Sequence, residues 1–212
     1  MNPIKILKLE SRTAALSLAF LLAALAGPNA RSAEKQPALR PIFNGKDLSG
    51  WVVPTPNLWR AENGVLIGES DAKKSGSLLQ TEKKYANFAF ETEVRWNGPI
   101  DSGVFMRTPA LQVQVGTSIS LKKDLTGSFY ITPGGYVEAG LAKEAGKYLK
   151  LGDWNTLRIE GRGNTFTVWL NGHQVSQYTD AKYAGPGPLA VQIHQRLDMK
   201  VEFRNLRAVE LP

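Results

Sequence analysis

The chain has 212 residues, 26 basic and 19 acidic, with a formal net charge of +7 and no cysteine. The lack of thiols excludes disulfides, thiolate metal centres, cysteine nucleophiles and a lipidated cysteine. The basic residues fall in short pairs (Lys73-Lys74, Lys83-Lys84, Lys122-Lys123) rather than in a stripe interleaved with aromatics, so a nucleic acid partner is not expected.

Lys5, Lys8 and Arg12 open the chain, and Ala14 to Ala26 is apolar or small apart from Ser17. Ala24-Leu25-Ala26 offers an A-x-A cleavage pattern, with Ala30 and Ala33 as alternative ends. The pattern predicts a cleaved secretory signal and processing region over 1–33, a secreted or periplasmic product, and no stable membrane span after processing. An uncleaved N-terminal anchor is the alternative. A short linker over 34–40 then leads into one domain over 41–212, long enough to bury a sizeable core.

Within that domain the predicted elements are strands and turns. Trp59 to Ile67 is a hairpin, because Asn63-Gly64 supplies the positive φ angles of a primed turn. Phe88 to Trp96 alternates, with Phe88, Phe90, Thr92, Val94 and Trp96 on one face and Ala89, Glu91, Glu93 and Arg95 on the other. Gly103 to Arg107 and Leu111 to Val115 alternate in the same way. Leu141 to Leu149 is the only helix-like run, weakened by Gly146. Asn155 to Glu160, the hairpin Phe166 to Val175 around Asn171-Gly172, Leu189 to His194 and Val201 to Val209 complete about a dozen strands. Their number and spacing predict an all-β sandwich or jelly roll.

Alternation also sorts the polar residues. It puts Phe105 and Arg107 on one face of their strand, Gln112 and Gln114 on one face of the next, and Gln192 with His194 on one face of a third. Amides, a guanidinium, an aromatic and an imidazole on one sheet surface suit a polyhydroxylated ligand such as a sugar. A merely solvated sheet face is the plainer reading. Glu91 and Glu93 share a face as the paired carboxylates of a glycosidase would, but Arg95 follows them, and an ion-paired surface strand is simpler. Trp51, Trp59, Trp154 and Trp169 read first as core, given the area a tryptophan buries. His173, after its Asn-Gly turn, is expected to be exposed. With two histidines and no ligand spacing, no cofactor is predicted, and a divalent ion on carboxylate, imidazole and carbonyl groups stays open.

Eight strings in order resemble one family. They are Phe43 to Trp51, Trp59 to Leu66, Ser102 to Arg107, Gln112 to Val115, Thr126 to Tyr130, Asp153 to Thr156, Val168 to Gly172 and Phe203 to Leu206. The family is the 3-keto-disaccharide hydrolase domain, and the resemblance covers Pro41 to Leu211. It implies a concanavalin A-like jelly roll of two antiparallel sheets and an activity on 3-keto glycosides. Two departures stand out: Pro109-Ala110-Leu111 occupy a place where many members carry an acid, and Gln195 follows His194 where many have glycine.

A ketone at C3 acidifies the C2 proton. A base can take that proton, the enolate expels the group at C1, and water adding back completes a net hydrolysis. On this chemistry His194 is the favoured base and Arg107 the favoured enolate stabiliser, with Lys122 second. Tyr130 or Glu138 supplies the acid. Gln112, Gln114 and Gln192 orient hydroxyls, and Phe105 or Trp51 stacks on a sugar ring. Each also has an ordinary structural reading: a sheet histidine, an arginine paired with Glu91 or Glu93, a solvated lysine or glutamate, a wedge tyrosine, a core tryptophan. The alternatives to an enzyme are a non-catalytic lectin-like module and an envelope-interaction domain. The oligomeric state is not legible.

Overall fold

The computed structural model describes residues 37–55 and 57–212. The expected signal and processing region and most of the linker lie outside the described residues. Among the described residues sixteen strands follow in chain order. They are β1 (Arg40–Pro41), β2 (Trp51–Val52), β3 (Trp59–Glu62), β4 (Val65–Glu69), β5 (Ser77–Tyr85), β6 (Phe88–Trp96), β7 (Asp101–Met106) and β8 (Thr108–Ser118), then β9 (Lys123–Asp124), β10 (Phe129–Ile131), β11 (Gly135–Tyr136), β12 (Asn155–Arg162), β13 (Thr165–Leu170), β14 (His173–Thr179), β15 (Gly187–Ile193) and β16 (Lys200–Glu210). The helix-like run shrinks to one turn, α1 (Ala145–Tyr148), preceded by a 3₁₀ turn at Glu138–Gly140. Among the described residues no helix is long and apolar enough to cross a membrane.

The strands form two antiparallel sheets of a jelly roll. The first runs β14-β13-β12-β6-β16-β4-β3, with β1 beside β16. The second runs β11-β10-β8-β7-β15-β5-β2, with β9 beside β8. Alternation decides what lies between them. Phe88, Phe90, Leu157, Ile159, Phe166, Val168 and Phe203 from the first sheet meet Leu79, Val104, Met106, Leu111, Val113, Val115 and Val191 from the second, all essentially inaccessible to solvent. Side chains of this size each contribute about 1.5–3 kcal/mol on burial, so the apolar phase of every strand is locked inward and its polar phase outward.

Both predicted Asn-Gly hairpins form. Asn63 and Gly64 have φ of 51° and 81°, and Asn171 and Gly172 have φ of 49° and 84°. These are the left-handed values that the right-handed strand twist selects in a two-residue loop. His173 is exposed, as expected, yet its ring stacks on Tyr148 with centroids 3.9 Å apart.

Candidate functional site

The outer face of the second sheet carries a cleft of about 780 Å³. Its floor comes from the polar phases of β7, β8 and β15. Its walls come from β10, β11 and the loops at Ser118–Ser120 and His194–Arg196. Phe105, Gln112, Gln114, Tyr130, Gln192 and His194, all singled out by sequence, line it, and so do Asp101, Tyr136, Ser118 and Arg196, which were not.

The floor is a chain of hydrogen bonds. Gln112 Nε2 donates to the Ser102 carbonyl at 3.1 Å and to Gln114 Oε1 at 3.0 Å, and lies 3.4 Å from Gln192 Oε1. Gln114 Nε2 donates to Asp101 Oδ1 at 2.8 Å, and Asp101 Oδ2 accepts from the Ile119 amide at 2.8 Å. Gly103 makes this possible. A Cβ there would lie 2.3 Å from Gln112 Nε2, so only glycine lets Gln112 lie flat across β7. Asp101, Gln112 and Gln114 are 7%, 5% and 1% exposed. A carboxylate so deeply placed is stabilised by the N–H groups that surround it, and Asp101 has no ion-pair partner among the described residues.

One wall is aromatic. Tyr130 and Tyr136 pair edge to face with centroids 5.0 Å apart. Burial pushes the Tyr136 hydroxyl up to about 12, opposed by a hydrogen bond from Ser118 and reinforced by the Asp101 charge. It therefore stays protonated, a fixed O–H donor, at any ordinary pH. On the facing side, His194 sits half-exposed one residue beyond β15, with Nδ1 2.6 Å from the Gln195 carbonyl oxygen. A carbonyl only accepts, so Nδ1 carries the hydrogen and Nε2 keeps its lone pair. Arg196, exposed at the same rim, forms no ion pair among the described residues. Phe105 lines the cleft but is only 5% exposed, so it offers little of its ring.

The chain matches, over residues 38–208, the family described as the 3-keto-alpha-glucoside-1,2-lyase-like domain. It belongs to that family. Membership makes the function of this lyase-like domain carbohydrate-related. Solved structures share its fold. A glycosyl hydrolase candidate from Parabacteroides distasonis ATCC 8503 is 20% identical, with 82% of this chain and 94% of that one covered and a TM-score of 0.63. The carbohydrate binding module CBM66 from Bacillus subtilis is 16% identical, with 75% and 94% covered and a TM-score of 0.54. The exoplasmic/lumenal domain of VIP36, solved with Ca²⁺ and Man3GlcNAc, is 8% identical, with 83% and 91% covered and a TM-score of 0.60. No curated protein matches the chain.

Four residues singled out by sequence lie elsewhere in the lyase-like domain. Arg107 follows β7 with φ of 63°, and this left-handed residue breaks the alternation that would have turned its side chain into the cleft. Its guanidinium instead enters the end of the sandwich, above the rings of Phe166 (4.9 Å) and Phe88 (5.8 Å). There Nη1 donates to the carbonyls of Gly163 at 2.5 Å and Tyr183 at 2.7 Å, and Nη2 donates to that of Ala86. Neither Glu91 nor Glu93 is its partner. Burial pulls its pKa down from the usual arginine value. Trp51 is core, 5% exposed, with Nε1 donating to the Ile42 carbonyl at 3.1 Å. Lys122 is exposed in the turn after β8, with φ of 51°, and Glu138 is exposed at the start of its 3₁₀ turn. Neither lines the cleft.

The outer face of the first sheet is an ion-pair ladder. Arg207 and Arg158 reach Glu91 at 2.5 and 3.5 Å, Arg204 reaches Glu93 at 2.9 Å, and Arg95 reaches Glu202 at 2.7 Å. The hydrogen bond from Arg204 holds Glu93 below the usual glutamate value. Trp154, read first as core, lies on this face between Arg95 and Arg204, 4.5 and 4.1 Å from its ring. Trp169, also read as core, is half-buried opposite Arg158. The two sheets thus divide their work: one outer face is laced with ion pairs, and the other carries a hydrogen-bonded amide floor within a cleft.

Proposed function

We propose that the cleft binds a 3-keto glycoside and cleaves its C1–O bond by elimination. The observation that carries this reading is that one cleft gathers an imidazole with a free Nε2, a rim arginine, a protonated tyrosine and a floor of amides, in a chain of this family. His194 Nε2 takes the C2 proton. The electrons released form the enolate, whose C3 oxygen Arg196 stabilises in the place first given to Arg107. The enolate then collapses: C3=O reforms, C1=C2 forms and C1–O breaks. Tyr136 or Tyr130 gives the departing oxygen its proton. The ring leaves as an unsaturated ketone, and water adding across C1=C2 turns the elimination into a net hydrolysis. This route needs no pair of opposed carboxylates, and none faces the cleft among the described residues. Lys5, Lys8 and Arg12 with the apolar stretch after them support export of the protein to the periplasm or beyond.

The test is incubation with a 3-keto disaccharide, with its unoxidised parent, and with the keto sugar deuterated at C2, followed by mass analysis. Cleavage is expected for the keto sugar alone, with deuterium slowing turnover or washing out. His194→Gln should lower the rate by about a hundredfold to ten-thousandfold, as the loss of a general base does. Equal cleavage of the parent sugar would remove the elimination route. Binding without cleavage would favour the rival reading, a sugar-binding module, which draws support from the likeness to CBM66.

A further inference from the structure

The cleft floor carries three primary amides, and the two ends of an amide differ in kind: the oxygen only accepts and the nitrogen only donates. Which end faces a ligand is therefore a chemical property of the site. Here the orientation is fixed at both ends of the chain. The Ser102 carbonyl accepts from Gln112 Nε2 at 3.1 Å, so a flipped Gln112 would set oxygen against oxygen. Asp101 accepts twice, from Gln114 Nε2 and from the Ile119 amide, each at 2.8 Å. A carboxylate satisfies both donors, whereas an asparagine has one oxygen and would set its NH₂ against one of them. With both anchors in place, Gln112 gives its N–H groups to the chain and Gln192 turns its oxygen toward Gln112. Two atoms remain without a protein partner among the described residues, Gln112 Oε1 and Gln192 Nε2, and neither is sealed from the cleft.

We propose that Asp101 is a positioning residue that fixes this polarity, so that the floor offers one acceptor beside one donor and selects an α-hydroxy ketone. The hydroxyl donates to Gln112 Oε1, and the keto oxygen accepts from Gln192 Nε2. The inference rests on the keto-glycoside reading above and names how that ligand is told from its parent. A ketone only accepts. A hydroxyl in its place can accept from Gln192 as well, but its own proton must then share Gln112 Oε1 with the neighbouring hydroxyl or go to water, so the parent is held less well. One acceptor shared between two hydroxyls, where the keto compound uses each group once, is what lets the floor tell the near-isosteres apart.

The probe pair is 1,5-anhydroglucitol oxidised at C3 and its unoxidised parent, which have no aglycone to lose, so binding is read without turnover. Calorimetry on the full chain should show the keto compound preferred by about tenfold or more. Asp101→Asn should abolish most of that preference, and should shift the side-chain ¹⁵N signals of Gln114 and Gln112 in the ligand-free protein. Gln192→Glu keeps an oxygen toward Gln112 but replaces the free donor with an acceptor, so it should weaken the keto compound more than the parent. It carries the test if Asp101→Asn fails to fold. A wild type that prefers the keto compound while a folded variant retains that preference overturns the role given to Asp101 and leaves the keto-glycoside reading standing. A wild type that binds both compounds equally overturns both.

Discussion

Tyr136 shows how much a single residue depends on its surroundings. It is one of two residues in the short strand β11, half-buried against Tyr130 and close to Asp101. Its hydroxyl titrates near 12 against an ordinary value of 10.0, first because burial penalises the phenolate. The folded pKa is raised, so the folded state holds its proton longer than the unfolded chain does. The stability this contributes is complete below about pH 10 and is lost as pH rises through about 12. Ultraviolet titration of phenolate, compared between wild type and Tyr136→Phe, should assign the difference to a group ionising near 12. A difference centred at 10 would put the hydroxyl in water and weaken its assignment as a donor. His194 works by the opposite arrangement: its backbone partner takes the Nδ1 hydrogen and leaves Nε2 open at the rim.

At the scale of elements, Arg107 ties together parts that strand pairing alone leaves separate. Its guanidinium holds the carbonyls of Ala86 before β6, Gly163 between β12 and β13, and Tyr183 ahead of β15. β15 approaches so closely that a Cβ at Gly187 would lie 1.8 Å from the Arg107 carbonyl oxygen. Arg107→Met should therefore destabilise the fold by about 3 kcal/mol, since it leaves buried carbonyls without donors. Thermal melts of the two proteins decide this, and an unchanged melting temperature would show that water replaces the guanidinium. The same residue marks the limit of sequence reading. Alternation placed Val113 inward and Gln112 and Gln114 outward because a strand has only two faces. It failed at Arg107 because one left-handed residue ends the period, and nothing in the local composition announces a positive φ for arginine. Asp101 was within reach, two residues before Gly103 and in phase with Phe105, had the alternation been carried back past the glycine. Tyr136 was not, since a two-residue strand has no period to detect. Trp51 is core, as first read, but Trp154 and Trp169 are not, because a tryptophan buries its area equally well in a core or on a sheet face beside arginines.

For the whole molecule, the jelly roll followed from the number of short strands and the two Asn-Gly turns, whereas the pairing of distant strands is a property of three dimensions only. The N-terminal region bears on where the molecule works. N-terminal sequencing of exported protein from its native host should find a start between Gly27 and Glu34, and an intact Met1 in that fraction would remove the export proposal. The strand order also governs how the first sheet closes. The last strand, β16, is not an edge but lies inside the first sheet, paired with β6 on one side and β4 on the other. Until it is synthesised, β6 and β4 have no common neighbour and the sheet stays open at its middle. Closure of the first sheet therefore waits on β16, and contacts that distant in sequence form slowly.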